Sequence, residues 1–416
     1  MLERKRKLDC ANGREKADLV LKNGNVLNVF TEEVLKADVA ICGDTIVGVG
    51  EYEGKEEIDC TGKYLVPGFI DAHMHIESCM AAPGELAKVL AKAGTTTIIA
   101  DPHEIVNVSG TKGMDYFLKC AAKLLVNVFF MVPSAVPATD VETNGCGEFL
   151  ASDMMKYVDN ARVLGLGETM RFMECCEGEK RMADKLELFA KKHIDGHAPG
   201  IRGKEVQAYR LAGVENDHEC STAEEVLDKL RAGLHIYVRE GSGAKNLETL
   251  IKTMLDAGVC LDRCAFCTDD KHVEEIRKEG HISTCIRKAI ALGVPVAKAY
   301  KMGSYQAAEF YGLKNYGAIG AGYRADIVFL DDLEQVRPLD VMKDGRILTE
   351  EDYAKDYSVP VPDELLHTVH VGEVTKEKIR LSCDGKTDVI QMNPHQIVTT
   401  HLVEEVPAEN GYFKSD

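Results

Sequence analysis

The side chains in this chain best suited to chemistry are imidazoles and carboxylates that close short apolar runs. Gly68-Phe69-Ile70-Asp71-Ala72-His73-Met74-His75 ends on two histidines one residue apart. In an extended strand, residues i and i+2 share a face, so His73 and His75 present two imidazoles side by side, as a metal ion requires. An isolated His-x-His is at least as often a pair of locally hydrogen-bonded side chains. Here later runs supply more donors: Glu168, His197, His218 and Asp269. Imidazole and carboxylate together suit zinc, iron or manganese. Six such groups exceed what one four-coordinate ion needs, whereas two ions bridged by Glu168 would use them all. A two-metal site turns water into hydroxide at neutral pH. Asp269 is then the group to accept that proton and hand it to a leaving group.

Glu77, His103, Glu104, Arg239, Glu240 and His272 close the same runs. Each is a candidate for touching a substrate or for holding a ligand in place; the competing reading for each is an ordinary loop residue. His193 stands at the opposite end of its run and is set apart from them. Cys264-Ala265-Phe266-Cys267 has no second pair to complete a zinc site and reads as part of a buried strand.

These groups need a scaffold that brings distant chain segments to one place. Residues 1–66 alternate short apolar strands with turn residues, and Asn23-Gly24 reads as a hairpin turn between Ala17–Lys22 and Asn25–Val29. After His75 the period changes: Leu86, Val89, Leu90 and Ala93 recur at helical spacing, Gly94 ends that helix, and Thr95–Ala100 is again a strand. Further strands are expected at Leu124–Val132, Val163–Gly167, His193–His197, Gly213–His218, Leu234–Val238 and Ala265–Thr268. Helices intervene, one of them opened by a capping box at Ser221-Thr222-Ala223-Glu224. Eight strands alternating with helices over about 250 residues give the count and length of a (β/α)8 TIM-type barrel, whose active sites lie at the C-terminal strand ends. Ala325–Leu330 and Val341–Leu348 resemble the N-terminal strands in pattern. The expected layout is therefore a barrel over 67–316 inserted in a small β-sandwich domain made of 1–66 and 317–348. Residues 349–416 are acidic and contain short strand-like runs.

With 416 residues, 45% hydrophobic and 28% charged, the chain has the composition of a globular protein with more than one domain. A formal net charge of -18 disfavours nucleic acid and anionic membrane as partners, but not a small neutral base. No run approaches the ~20 apolar residues of a membrane span, and the basic start Met1–Lys7 is not followed by the apolar core of a signal peptide. Fourteen cysteines without small-scaffold spacing fit a reducing cytoplasm.

The barrel within a β unit, with His-x-His on its first strand, resembles the amidohydrolase superfamily. Longer runs are similar to one of its families, the adenine deaminases: Pro67–Ser78, Gly94–Thr97, Ala100–Ile105, Gly196–Gly200, Asp217–Cys220, Arg239–Ser242 and Cys267–Asp270. The resemblance implies hydrolytic deamination of adenine to hypoxanthine and ammonia in purine salvage, by a metal-activated hydroxide attacking C6. It implies a binuclear manganese or iron centre, with zinc compatible with the same donors. The ligands it points to are His73, His75, Glu168, His197, His218 and Asp269, with Asp269 also catalytic. The partners it implies are adenine, water and further copies of the same chain. Against the family pattern the chain stops within a C-terminal region, so 349–416 is expected to be a linker and the start of an incomplete domain. The alternatives are a binuclear amidohydrolase acting on another nucleobase or cyclic amide, or a catalytically impaired truncated homologue.

Overall fold

The structure is a computed structural model that describes residues 2–383 and 385–414. Strands Ala17–Asn28 (β1), Glu33–Cys42 (β2) and Thr45–Gly50 (β3) form an antiparallel meander, while Gly54–Asp59 (β4) and Tyr64–Pro67 (β5) run parallel to β1. Nearly the whole length of the barrel intervenes before the sheet resumes with Ile327–Leu330 (β14), which pairs antiparallel with β5 and leads to Asp340–Lys343 (β15) and Arg346–Ile347 (β16). The result is one eight-stranded sheet in the order β16-β15-β14-β5-β1-β2-β3, with β4 beside β1. Leu21, Val39, Ile41, Leu65, Ile327 and Phe329 pack on one face. Cys10, from the helix Leu2–Ala11, packs with Val20, Ala40 and Val47 on the other.

Eight parallel strands lie between these segments: Phe69–Met74 (β6), Thr95–Ala100 (β7), Asn127–Val132 (β8), Val163–Leu166 (β9), His193–Ile194 (β10), Asn216–Asp217 (β11), His235–Arg239 (β12) and Cys264–Cys267 (β13). They form a five-stranded sheet, β10 to β6, and a three-stranded one, β11 to β13. Two seams join them. Glu215 N donates to Ile194 O at 3.0 Å, and a parallel bridge between Met74 and Asp269 ties the end of β6 to the chain leaving β13. This is an α/β fold of the TIM type. Ile70, Ala72, Ile99, Phe129, Met131, Tyr237 and Cys267 from five of the strands pack together, and the Tyr311 hydroxyl closes that cluster by donating to Asp195 Oδ2 at 2.8 Å. No helix among the described residues is long and apolar enough to cross a membrane.

Three local expectations are corrected. Asn23-Gly24 is not a hairpin: β1 runs straight through it, and the pairing with β2 shifts register between Leu21 and Gly24. Asn23, at φ 60°, forms a β-bulge there. Bulge and turn ask for the same residue types, and only the strands pairing on both sides of β1 decide between them. The capping box sits one residue later than read: Thr222 Oγ1 accepts from Glu225 N, and Glu225 Oε2 accepts from Thr222 N at 3.0 Å. The third barrel strand starts at Asn127, because Leu124–Val126 packs in the apolar layer before the pairing with β7 begins.

At Gly165 in β9, a Cβ would lie 1.9 Å from His193 O of β10. Gly165→Ala must therefore part the two strands that carry Glu168 and His197. A loss of about 1–3 kcal/mol is expected in denaturant unfolding, and an unchanged midpoint would contradict this packing.

Candidate metal centre

The six candidate ligands are residues at, or just beyond, the C-terminal ends of five barrel strands. His73 lies in β6 and His75 one residue beyond it; Asp269 is two residues beyond β13. Asp269 N donates to His73 O at 3.0 Å, and His75 N donates to Asp269 O at 3.1 Å. These bonds hold Asp269 at φ 58°, in the left-handed region, a strained conformation that the two flanking strands impose. His75 Nδ1 donates to Asp101 O at 2.9 Å, which fixes its tautomer and frees Nε2. Glu168 follows Gly167, where a Cβ would lie 2.2 Å from Asp101 Oδ2. That close approach lets Glu168 N donate to the same oxygen at 2.9 Å. His197 N donates to Tyr209 Oη at 2.9 Å. Asp217, next to His218, accepts from Glu219 N at 2.8 Å and Ala198 N at 3.0 Å, and pairs with the buried Lys229 at 3.1 Å.

The other five candidate ligands gather around Glu168, Asp269 by way of His73 and His75. Glu168 Oε1 lies 3.4 Å from His75 Nε2, and its Oε2 lies 2.7 Å from His197 Nδ1 and 3.3 Å from His218 Nε2. Asp269 Oδ1 lies 3.3 Å from His75 Nε2 and 3.8 Å from His73 Nε2. The His73 and His218 rings stack with centroids 4.0 Å apart. The donor atoms of His73, His75 and Asp269 fall within 4.8 Å of one another, as do those of His73, Glu168 and His218. The carboxylate thus has one oxygen toward each of two donor groups.

The electrostatics suit a cation. Burial, with His218 and His75 nearby, pushes the His73 pKa well below the ordinary imidazole value, which favours the neutral ring with one nitrogen lone pair to offer. Burial also opposes charge on His75 and His218, but Glu104, Glu168, Asp269 and Glu219 overcome it and draw protons onto these rings. Burial likewise opposes the carboxylates of Glu168 and Asp269, yet the surrounding imidazoles, and for Asp269 also Arg239, hold both well below the usual range. Positive charge is thus favoured at the centre of the cluster, as a metal ion would supply it. Both ring nitrogens of His73 and of His218 are buried without a hydrogen-bond partner, an arrangement costly for polar atoms unless an ion completes it. The donor set fits a divalent metal.

The remaining candidates separate. Glu104 Oε2 approaches His75 Nδ1 at 3.6 Å, and His103 stands edge-on to His75 with centroids 6.5 Å apart. Glu77 accepts from Ile105 N at 2.9 Å, and burial beside Glu104 pushes its carboxyl up to about 8. Arg239 is fully buried and bonds Asp269. Glu240 turns to Lys288, and His272 is exposed, its N–H donating to Ser242 Oγ at 3.0 Å. His193 pairs with Glu215 at 2.8 Å, away from the cluster. Two carboxylates had not been singled out: Asp270, grouped with His75 and Glu104, and Glu219, grouped with His197 and His218.

A parallel α/β barrel with histidines and carboxylates converging at its strand ends defines a class of hydrolases, and the chain belongs to the amidohydrolase family, whose profile matches residues 64–348. Among curated relatives, the adenine deaminase of Desulfitobacterium hafniense (strain Y51) is 46% identical over 402 residues, 96% of this chain and 70% of that protein. Adenine deaminase 2 of Carboxydothermus hydrogenoformans is 43% identical over 410 residues, 98% of this chain and 71% of that protein. Among solved structures, atrazine chlorohydrolase from Arthrobacter aurescens TC1 complexed with zinc matches with a TM-score of 0.60 at 16% identity, covering 80% of this chain and 96% of that one. At that identity the likeness concerns the fold alone.

If the cluster holds a divalent ion, saturating manganese raises the unfolding free energy by about 3–4 kcal/mol at 100 to 1,000 times its Kd. Thermal unfolding with manganese and with chelator measures the difference, and His218→Ala should shrink it. The gain should fade as pH falls, starting above the ordinary imidazole range, because the metal-free protein holds protons on His75 and His218 more tightly than a free imidazole does. A transition indifferent to chelator would contradict the assignment.

Proposed function

We propose that the protein hydrolyses adenine to hypoxanthine and ammonia. The observation that supports this most is the 46% identity to an adenine deaminase over 96% of the chain; the family match over residues 64–348 includes every donor grouped around Glu168. In this reading His73, His75, Glu168, His197, His218 and Asp269 would hold two divalent ions, manganese or iron. When bound, such ions supply the Lewis acidity that makes water a nucleophile at neutral pH.

The chain's own residues do the rest. Asp269 is an ionised carboxylate whose Oδ1 faces the donors of β6, which places it to take one proton from water and release it again. Water oxygen bonds to C6 and a proton goes to N1. The C6–N6 bond then breaks as Oδ1 of Asp269 returns the other proton to the departing amine, leaving a C6 carbonyl and ammonia. Glu104, His103 and Glu77 lie beside His75, where the base would enter. Burial keeps His103 largely unprotonated, its pKa lowered to about 4, so it can offer a lone pair or an N–H to a neutral purine.

The same reading assigns the chemistry to a barrel over 67–316, with 1–66 and 317–348 forming one small sandwich-type domain beside it. The antiparallel pairing of β14 with β5 supports that layout.

Purified protein supplied with manganese under reducing, anaerobic conditions should release ammonia from adenine in stoichiometry with hypoxanthine. His73→Ala should fall to the level of the protein-free control. A fully metallated, folded protein that leaves adenine unchanged would refute the proposal.

A further inference from the structure

Arg239 closes β12 with none of its surface exposed. A guanidinium so placed needs every donor satisfied and its charge balanced. One terminal nitrogen, Nη1, donates to Asp269 Oδ2 at 2.9 Å and also to Glu219 Oε1. The other, Nη2, donates to Asn246 Oδ1 at 2.9 Å. Asn246 is itself fully buried, and its N–H returns to Arg239 O at 3.1 Å. Glu219 is also fully buried. Three polar side chains without exposed surface cannot meet a substrate as they stand, so these three serve other groups; Glu219 Oε1 also lies 3.4 Å from His218 Nε2 and 3.6 Å from His197 Nδ1, and Arg239 joins all three side chains to one further carboxylate.

That carboxylate belongs to Asp269. Its two oxygens are divided: Oδ2 is taken by Arg239, and Oδ1 is the one that faces His75 Nε2 and His73 Nε2. Free rotation of the carboxylate would exchange them, and a backbone at φ 58° gives the side chain no regular strand geometry to resist this. Glu219 supplies the second negative charge that keeps Arg239 at the joint, and Asn246 fixes the plane of the guanidinium. We infer that Arg239, Glu219 and Asn246 form a buried clamp of positioning residues that reserves Oδ1 of Asp269 for the metal centre and its proton transfers. The kcat arm of its test rests on the proposed function, whereas the metal arm does not.

The variants are Arg239→Met, Glu219→Gln and the double variant. Three quantities are read: manganese affinity of the metal-free protein by competition with a chelator, kcat and KM for adenine at saturating manganese, and the thermal transition. Each single variant should weaken manganese binding about 10–100-fold, the usual effect of removing a partner of a ligand, and should lower kcat while KM stays within about threefold. Arg239→Met should also lower the thermal transition, since it leaves the buried Glu219 carboxylate without the guanidinium that balances it. In the double variant the charges of Arg239 and Glu219 are both gone, and the Asp269 carboxylate keeps the His75 and His218 imidazoles as its positive neighbours. The thermal transition should recover while manganese affinity and kcat should not.

Recovery of all three quantities in the double variant would reduce the clamp to a structural ion pair and overturn the inference. A raised KM with kcat intact in Arg239→Met would overturn it in favour of a substrate contact. Loss of one bound ion in Glu219→Gln alone, with Arg239→Met keeping both, would make Glu219 a ligand and overturn it too. A wild-type protein silent on adenine but with the predicted manganese losses would sink the substrate reading and leave the clamp standing.

Discussion

The structure depends on how the Glu168 carboxylate is neutralised. A carboxylate at 3% exposure is costly to ionise unless positive charge or strong donors surround it. Here one oxygen meets His75 and the other meets His197 and His218. Those three imidazoles come from three strands, so the charge of one residue holds together chain segments that are far apart in sequence. The surrounding features serve to keep Glu168 there: the bare backbone at Gly167, the Asp101 carboxylate that receives its N–H, and the Asp101 carbonyl that sets the His75 tautomer.

The barrel converts this local balance into a rigid geometry. Carboxylates that face away from the donors do much of the work. Asp71 accepts from His73 N at 3.1 Å and from Thr268 Oγ1 at 2.6 Å, linking the first and last strands beneath Asp269. His281, from the helix Ile282–Ala291 at its N-cap, closes that link at 3.1 Å. Asp217 plays the same part on the other side, with Lys229 as its counter-ion. Such buried pairs add little to net stability compared with apolar packing, but once built they fix where neighbouring backbone atoms lie. The strain at Asp269 is tolerated because both its N–H and its carbonyl are held by β6 and the turn after it.

The cluster of imidazoles and carboxylates around Glu168 was legible in the sequence because its signal is simple: short apolar runs, parallel and buried, that end in an imidazole or a carboxylate. The helix Leu2–Ala11 was not legible, since only Cys10 among its residues is buried and it shows no apolar stripe. Asn23-Gly24 carries the chemistry of a turn, and a bulge demands the same chemistry, so local residues could not separate them. Glu219 was passed over because a residue next to His218 in an extended strand should point the opposite way. Strand β11 ends at Asp217, however, and beyond it the alternation no longer holds, so both side chains reach the same centre. Glu240 and His272 follow strand ends in sequence; in the structure one turns to Lys288 and the other to solvent.

The most direct test of this account is anomalous X-ray scattering from crystals loaded with manganese. Two peaks about 3.5–4 Å apart, with one oxygen of Glu168 toward each, are the predicted result. A single peak, or two peaks with the Glu168 carboxylate turned away from either, would contradict it.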